Sequence, residues 1–263
     1  MNIAEKLDLI NTLKSKIDKL SPQKAWEEAF LNKVKIEFTY NSNKIEGNTI
    51  TYGQTVQLLK DLVTPKNATT GEFLDMVNHK MVLDVVFNNY HSQGITEESI
   101  KELHRELMKN IAQWSDDGLY SPGKYKEFEN FTVRSTGKIH AYMQPAEVEK
   151  AMVQLVNETN TLLENADPDD VLRHPLAIAS NFHQTFLNEI HPFSDGNGRI
   201  GRIFTNLILL KKGYPPVFIR EVNKDEYLKR FELSDKESTV MLDFLADRLI
   251  ESLQSKLDFI EMQ

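Results

Sequence analysis

His191, Asp195, Arg199 and Arg202 fall within one stretch of twelve residues, His191-Pro192-Phe193-Ser194-Asp195-Gly196-Asn197-Gly198-Arg199-Ile200-Gly201-Arg202. Each is a residue type that phosphoryl chemistry uses. Gly196 and Gly198 flank Asn197, which lets successive backbone N–H groups turn inward as an anion-binding concavity at the start of a helix. Arg199 and Arg202 lie three apart on that helix, so their guanidinium groups project to one side and can each take phosphate oxygens in bidentate fashion. Two arginines point to more than one phosphate. Asp195 offers a hard oxygen ligand beside the concavity, suited to Mg2+, which binds through one carboxylate, waters and substrate phosphates. His191, whose unperturbed pKa is about 6.5, can take the proton of an attacking hydroxyl while ion and arginines stabilise charge on phosphorus. Phe193 reads as an apolar anchor for the loop. For any one of these features the plain alternative is a turn between helices, with a core histidine and solvated arginines. Their joint occurrence argues against it.

The elements that must position this stretch read as helices. Ile3, Leu7, Ile10, Leu13, Ile17 and Leu20 recur every three or four residues, one face of a helix that Ser21-Pro22 stops. Trp26, Phe30 and Val34 open a second helix running towards Glu46 and the stop signal Gly47. Thr51 is placed to cap a third, and the polar run 61–70 with Pro65 and Asn67 reads as an exposed connection. Phe73, Met76, Val77, Lys80, Leu83 and Phe87 have helical spacing with Gly94 as the stop, and Thr96 caps a helix carrying Ile100, Leu103 and Leu107. Between Gly118 and Gln144 the pattern changes: Tyr125, Phe128, Phe131 and Val133 lead to Ser135-Thr136-Gly137-Lys138, then Ile139 and Tyr142, a short hairpin. Pro145 starts one helix, and Pro175 starts another through Leu176, Ala179, His183, Phe186 and Ile190 that delivers His191. Ile200, Ile203, Phe204, Leu207 and Leu210 form a near-continuously apolar helix ended by Gly213, expected to be central and buried. From Ser238, Leu242, Leu245, Leu249, Leu253, Leu257 and Ile260 mark a long amphipathic helix that either closes the domain or pairs two copies of the chain.

The chain has 263 residues, 40% hydrophobic and 27% charged, enough to bury a sizeable core. Its 31 basic and 39 acidic residues give a net charge of −8, which repels a polyanion, so a nucleic-acid partner is not expected. With no cysteine, disulfide scaffolding, thiol catalysis and thiolate metal sites are excluded together. Charges interrupt the N-terminal MNIAEKLDLI, which lacks the apolar core of a secretion signal, and no run approaches a membrane span, so a cytoplasmic protein is expected.

The twelve-residue stretch resembles the signature of the Fic (filamentation induced by cAMP) family, HxFx(D/E)GNGRxxR, and satisfies every fixed position. The resemblance continues through Phe182, Phe186 and Ile190 before it and Asn206, Leu209, Gly213, Tyr214 and Pro215 after it. It implies an all-α fold with a short β-hairpin flap and flanking N- and C-terminal helices. It also implies transfer of AMP from ATP to a hydroxyl of a target protein, a serine, threonine or tyrosine that the chain itself can present. His191 then looks like the base and Asp195 like the ligand of the Mg2+ bridging the α- and β-phosphates. Asn197 with the amides of Gly196 and Gly198 looks like the α/β-phosphate cradle, Arg199 like the β-phosphate contact and Arg202 like the γ-phosphate contact. Related kinases carry lysine where Gly198 stands, so glycine favours AMP transfer over phosphorylation. A non-catalytic ATP-sensing protein is the reading from another class, and binding alone needs no base.

Ser42-Asn43-Lys44-Ile45-Glu46-Gly47 matches (S/T)xxxE(G/N), which in that family marks an inhibitory helix. Its bland alternative is a helix ending at Gly47 with Glu46 exposed on the last turn. The resemblance implies a Glu46–Arg202 ion pair that takes the arginine from the γ-phosphate, and in some relatives the same glutamate supports removal of AMP. The organisation that follows is N-terminal helices over 1–70 including the motif 42–47, a core over 71–220 with a flap at about 123–142 and the loop 191–202, and helical closure over 221–263. Gly123 and Val133 agree with the family's target-binding flap, while Lys126 stands where many relatives have arginine. His183 is expected to pack or hydrogen-bond, and His79, His91, His104, His140 and His174 are scattered without metal-ligand spacing.

Overall fold

A computed structural model describes residues 1–20, 25–111, 121–234 and 239–262. Helix α1 (Ile3–Leu20) is followed by α2 (Ala25–Ile45), α3 (Tyr52–Asp61), α4 (Thr70–Asn88) and α5 (Glu97–Leu107). A hairpin of β1 (Phe131–Val133) and β2 (Ile139–Ala141) precedes α6 (Pro145–Glu164) and α7 (Pro175–Gln184). A π turn (Thr185–Ile190), α8 (Asn197–Lys211), a short 3-10 turn (Glu221–Asn223), α9 (Lys224–Ser234) and α10 (Thr239–Glu261) complete the order. The fold is all-α with one small antiparallel sheet, paired Phe131 to Ala141, Thr132 to His140 and Val133 to Ile139. The Ser21-Pro22 stop, Gly118 and Ser238 lie outside the described residues, as does the side chain of Trp26.

Local chemistry accounts for the helix starts. Thr51, Thr69 and Thr96 each cap a helix through a reciprocal capping box, with Gln54, Glu72 and Ser99 closing the box. Pro145 and Pro175 occupy first-turn sites, where the missing N–H costs nothing. Gly47 ends the segment after α2 at φ 97°, a left-handed conformation that suits glycine. The fourth helix stops at Asn88, short of the Gly94 read from sequence, because Asn89 turns the chain and its carbonyl accepts from the amides of Ser92 and Gln93.

One apolar interior runs from Leu7 to Leu257 and includes residues from both ends of the chain. Helix α8 is its axis: Ile200, Ile203, Phe204, Leu207, Ile208 and Leu209 are all 0% exposed, each burial stabilising by roughly 1.5–3 kcal/mol. It packs against α7, α4, α5 and α2. The amphipathic α10 packs on α1, α7 and α9, so its leucine stripe closes the domain within the chain. The helix from Pro175 does not continue as a plain α-helix to Ile190. Its last six residues widen into the π turn, a feature that single-residue spacing does not reveal.

Candidate active site

His191 follows the π turn at φ 48°, left-handed and uncommon for a residue with a Cβ. Its N–H donates to the carbonyl of Phe186 at 2.9 Å, and the ring folds back so that Nδ1 lies 2.9 Å from the carbonyl of Leu187. A carbonyl only accepts, so Nδ1 carries the proton and Nε2 keeps a free lone pair. Tyr142 stacks on the ring at 3.9 Å between centroids. Burial pushes the His191 pKa down to about 4, against the Leu187 hydrogen bond, so the imidazole is neutral at pH 7 and able to accept a proton.

The loop after it is set by its own side chains. Asn197 Oδ1 accepts from the Phe193 N–H at 2.8 Å and Nδ2 donates to the Phe193 carbonyl at 2.7 Å. The Asn197 side-chain amide therefore bonds the loop to itself. Gly196 caps α8 at φ 74°, where a Cβ would meet Met108 and His104. Asp195 leaves its carboxylate half exposed, with Oδ1 accepting from the Gly196 N–H.

Arg199 and Arg202 are 4% exposed and turn inward from α8. Arg199 pairs with Asp75 of α4 and lies 3.7 Å from Asp195. Burial pushes the Asp75 carboxyl up, against the pull of Arg199. Arg202 is gripped by the end of α2: Nε donates to Ser42 Oγ at 3.0 Å, and Nη2 donates to the Ser42 carbonyl at 3.0 Å and to Glu46 Oε1 at 2.6 Å. A Cβ on Gly198 would collide with that same Glu46 oxygen, so the carboxylate lies over the amide end of α8. Burial works against the charge on Glu46, but Arg202 first and Arg199 after it hold its carboxyl below the ordinary range. Glu46 is thus partly open to the cavity yet paired, unlike a merely solvated last-turn glutamate.

Behind Arg202 runs a chain of hydrogen bonds that the sequence did not reveal. The Tyr227 hydroxyl of α9 faces Arg202 and donates to His183 Nε2 at 2.8 Å. His183 Nδ1–H donates to Thr205 Oγ1 at 2.8 Å, and Thr205 donates to the Gly201 carbonyl at 2.7 Å. Burial pushes His183 down to about 3, consistent with the neutral ring this directionality needs. His183 hydrogen-bonds and packs, as its place on the helix suggested.

The hairpin forms the opposite wall. Arg134 Nη2 donates to Asn188 Oδ1 at 2.6 Å and His140 Nε2–H donates to the Asn188 carbonyl at 2.7 Å, tying both strands to the π turn. Lys126 is buried, donating to Asn130 Oδ1 at 2.5 Å and to the Ile190 carbonyl at 3.2 Å. Burial lowers its pKa to about 8. Val133 is exposed. The strands occupy only the end of the 123–142 segment, and the residues before them fasten it to the loop 191–202 through Lys126 N–H to the Pro192 carbonyl. Between hairpin, loop, α2 and α9 lies a cavity of about 760 Å³ that brings His191, Asp195, Gly196, Asn197, Gly198, Arg202 and Glu46 to one space, a ligand-sized volume. Arg199, Ser42 and Gly47 stand outside its lining.

Residues 94–209 match the Fic/DOC family. That segment is a Fic/DOC domain. Over 234 residues it is 30% identical to the protein adenylyltransferase Fic of Nematostella vectensis, covering 85% of this chain and 48% of that protein. It is 28% identical to the protein of the same name from Culex quinquefasciatus, covering 81% of this chain and 39% of that one. The chain therefore spans less than half the length of the curated relatives it matches. Among solved structures, a Fic-domain-containing signalling protein from Bacteroides thetaiotaomicron superposes with a TM-score of 0.87 at 29% identity, over 97% of each chain. Fic-1 of Caenorhabditis elegans shares the fold, with a TM-score of 0.78 at 22% identity over 97% of this chain and 71% of that one.

Around the site of this Fic domain, the sequence did not mark Asp75, His104 or Tyr227 as functional. Asp75 and Tyr227 sit among ordinary amphipathic spacing, and no sequence signal marks them. His104 had one weak signal, a histidine on the apolar face of α5, where the helix has Ile100, Leu103 and Leu107 buried beside it.

Proposed function

We propose that this Fic domain is a protein adenylyltransferase that moves AMP from ATP to a hydroxyl of a target protein, and that Glu46 restrains it. The observation that supports the reading is a neutral His191 whose free Nε2 shares one cavity with the amide end of α8 and with Arg202. In this reading the α8 amides and Arg202 hold the triphosphate, and the target hydroxyl enters between His191 and the hairpin that carries Val133. His191 Nε2 takes the hydroxyl proton as the oxygen attacks the α-phosphorus, the bond between the α-phosphorus and the α,β-bridging oxygen breaks, and pyrophosphate leaves.

Asp195 fits a magnesium ion that arrives with the nucleotide. Its carboxylate is half exposed on the cavity wall, and among the described residues no cluster of three His, Cys, Asp or Glu could hold a metal unaided. That donor set suits an ion taking one carboxylate, waters and phosphate oxygens. When bound, magnesium would offset the charge on the α- and β-phosphates. Glu46 opposes productive binding in two ways: it occupies Arg202, and its negative charge stands where the amide end of α8 would receive phosphate.

The test is to incubate purified Glu46→Gly protein, beside Glu46→Gly/His191→Ala, with ATP labelled at the α- or the γ-phosphate and with candidate targets. Protein carrying α-label that disappears with His191→Ala is expected. Label from γ only would show phosphorylation instead, and intact ATP binding without transfer would favour a nucleotide sensor.

A further inference from the structure

We propose that His104, outside the twelve-residue loop, is a positioning residue that sets the Asp195 carbonyl and the start of the hairpin segment in register with each other. The inference rests on the adenylyl-transfer reading. His104 lies on α5 and is 3% exposed. The Gly123 N–H donates to His104 Nδ1 at 2.9 Å, so that nitrogen must be the acceptor and the proton must sit on Nε2. His104 Nε2–H then donates to the Asp195 carbonyl at 2.9 Å. The ring face stacks on Phe193 with centroids 3.7 Å apart and planes within 5°. Both nitrogens and one face are therefore committed, each to a different part of the site.

Those partners are the two walls that must agree for transfer. Asp195 and Gly196 share the peptide unit whose oxygen His104 holds, so the bond aims the Gly196 N–H and constrains the backbone from which the Asp195 carboxylate projects. Gly123, at φ 76°, fits so closely that a Cβ would meet the Lys101 carbonyl. Three residues on, Lys126 grips the Pro192 and Ile190 carbonyls. One imidazole thus bridges the metal-and-phosphate side of the cavity to the segment leading to Val133. Phenylalanine could supply the stack but neither hydrogen bond, whereas glutamine could supply an acceptor and a donor but no stack.

The experiment compares His104→Phe and His104→Gln in the Glu46→Gly background. Calorimetry reads the Mg2+ dependence of ATP binding, labelled ATP reads transfer, and circular dichroism with Tm reads folding. For His104→Phe, the Mg2+ needed for half-maximal ATP affinity should rise roughly tenfold with a similar loss of kcat, the scale of outer-shell effects on metal sites. For His104→Gln, both should stay within about threefold of the parent, on the same scale. A packing role alone predicts the reverse order, with phenylalanine better tolerated and Mg2+ dependence unmoved, and that result overturns the proposal. If His104→Phe does not fold, His104→Gln decides: Mg2+ dependence close to the parent supports the proposal and a roughly tenfold rise overturns it. The binding readout needs no transfer, so a parent that binds Mg-ATP but takes up no α-label counts against the adenylyl-transfer reading alone.

Discussion

Glu46 Oε1 and Arg202 Nη2 are 2.6 Å apart across 156 residues of sequence, and the same oxygen covers Gly198, at the start of α8. One carboxylate therefore engages two groups that would otherwise meet a polyphosphate. Replacing it changes both at once. Glu46→Gly is expected to tighten ATP binding by about tenfold or more, equivalent to roughly 1.4 kcal/mol, with Glu46→Gln intermediate because it keeps volume but not charge. Calorimetric titration with ATP checks this, and equal affinities across the three proteins would remove Glu46 from any inhibitory role.

A Cβ at Gly198 would displace the ends of two side chains. In Gly198→Ala the new Cβ meets the Glu46 carboxylate and Arg202 Nη1, so the ion pair must shift while the amide end of α8 is itself obstructed. ATP affinity is expected to fall about tenfold, roughly 1.4 kcal/mol, even in the Glu46→Gly background. Undiminished binding in that double variant would show that phosphate does not approach Gly198.

Tyr227→Phe deletes the hydroxyl between Arg202 and His183. It leaves His183 Nε2 buried without its donor, at a cost of about 1–3 kcal/mol, read as a lower urea midpoint. With Glu46 gone, Arg202 keeps Ser42 but loses the Tyr227 hydroxyl that faces it from the other side, so in Glu46→Gly/Tyr227→Phe the preference for ATP over ADP should shrink relative to Glu46→Gly. An unchanged preference would mean that Ser42 and the helix orient Arg202 without Tyr227.

Glu72 fastens the chain just after Glu46 and Gly47. Its Oε1 accepts from the Thr49 N–H at 2.7 Å and from Thr49 Oγ1 at 2.5 Å, while Oε2 accepts from the Thr69 N–H and Oγ1 at 2.9 Å each. The Thr49 hydroxyl first, then the Thr69 and Thr49 amides, bring its pKa from 4.5 to about 2. A depressed folded-state pKa means that this stabilisation is complete above about pH 4.5 and is lost as pH falls towards about 2. Glu72→Gln should lower the urea midpoint at pH 7, by roughly 1 kcal/mol for weakened hydrogen bonds, and the gap to wild type should narrow between about pH 5 and about pH 3. A gap constant with pH would place the effect elsewhere.

The sequence by itself determined most of the helices, the caps at Thr51 and Thr96 and the spacing of the twelve-residue loop, while the pairing of Glu46 with Arg202 followed from the resemblance of two short motifs to those of a family. Helical spacing is local, capping boxes reach only three residues, and the twelve-residue stretch holds its residues at fixed intervals along one loop and helix start. Its limit appeared at the same boundary. Asp75, His104 and Tyr227 lie 124, 91 and 25 residues from the loop residues they support, Arg199, Asp195 and Arg202. Nothing near Asp75 or Tyr227 in sequence distinguishes them from other polar residues on amphipathic helices, and His104 shows only its place on the apolar face of α5. The fold also decided that Asn197 bonds the loop to itself, that the helix before His191 widens into a π turn, and that α10 packs on α1. Each depends on which surfaces meet after the core closes around α8, and a hydrogen bond between distant elements leaves no periodic trace in the chain that forms it.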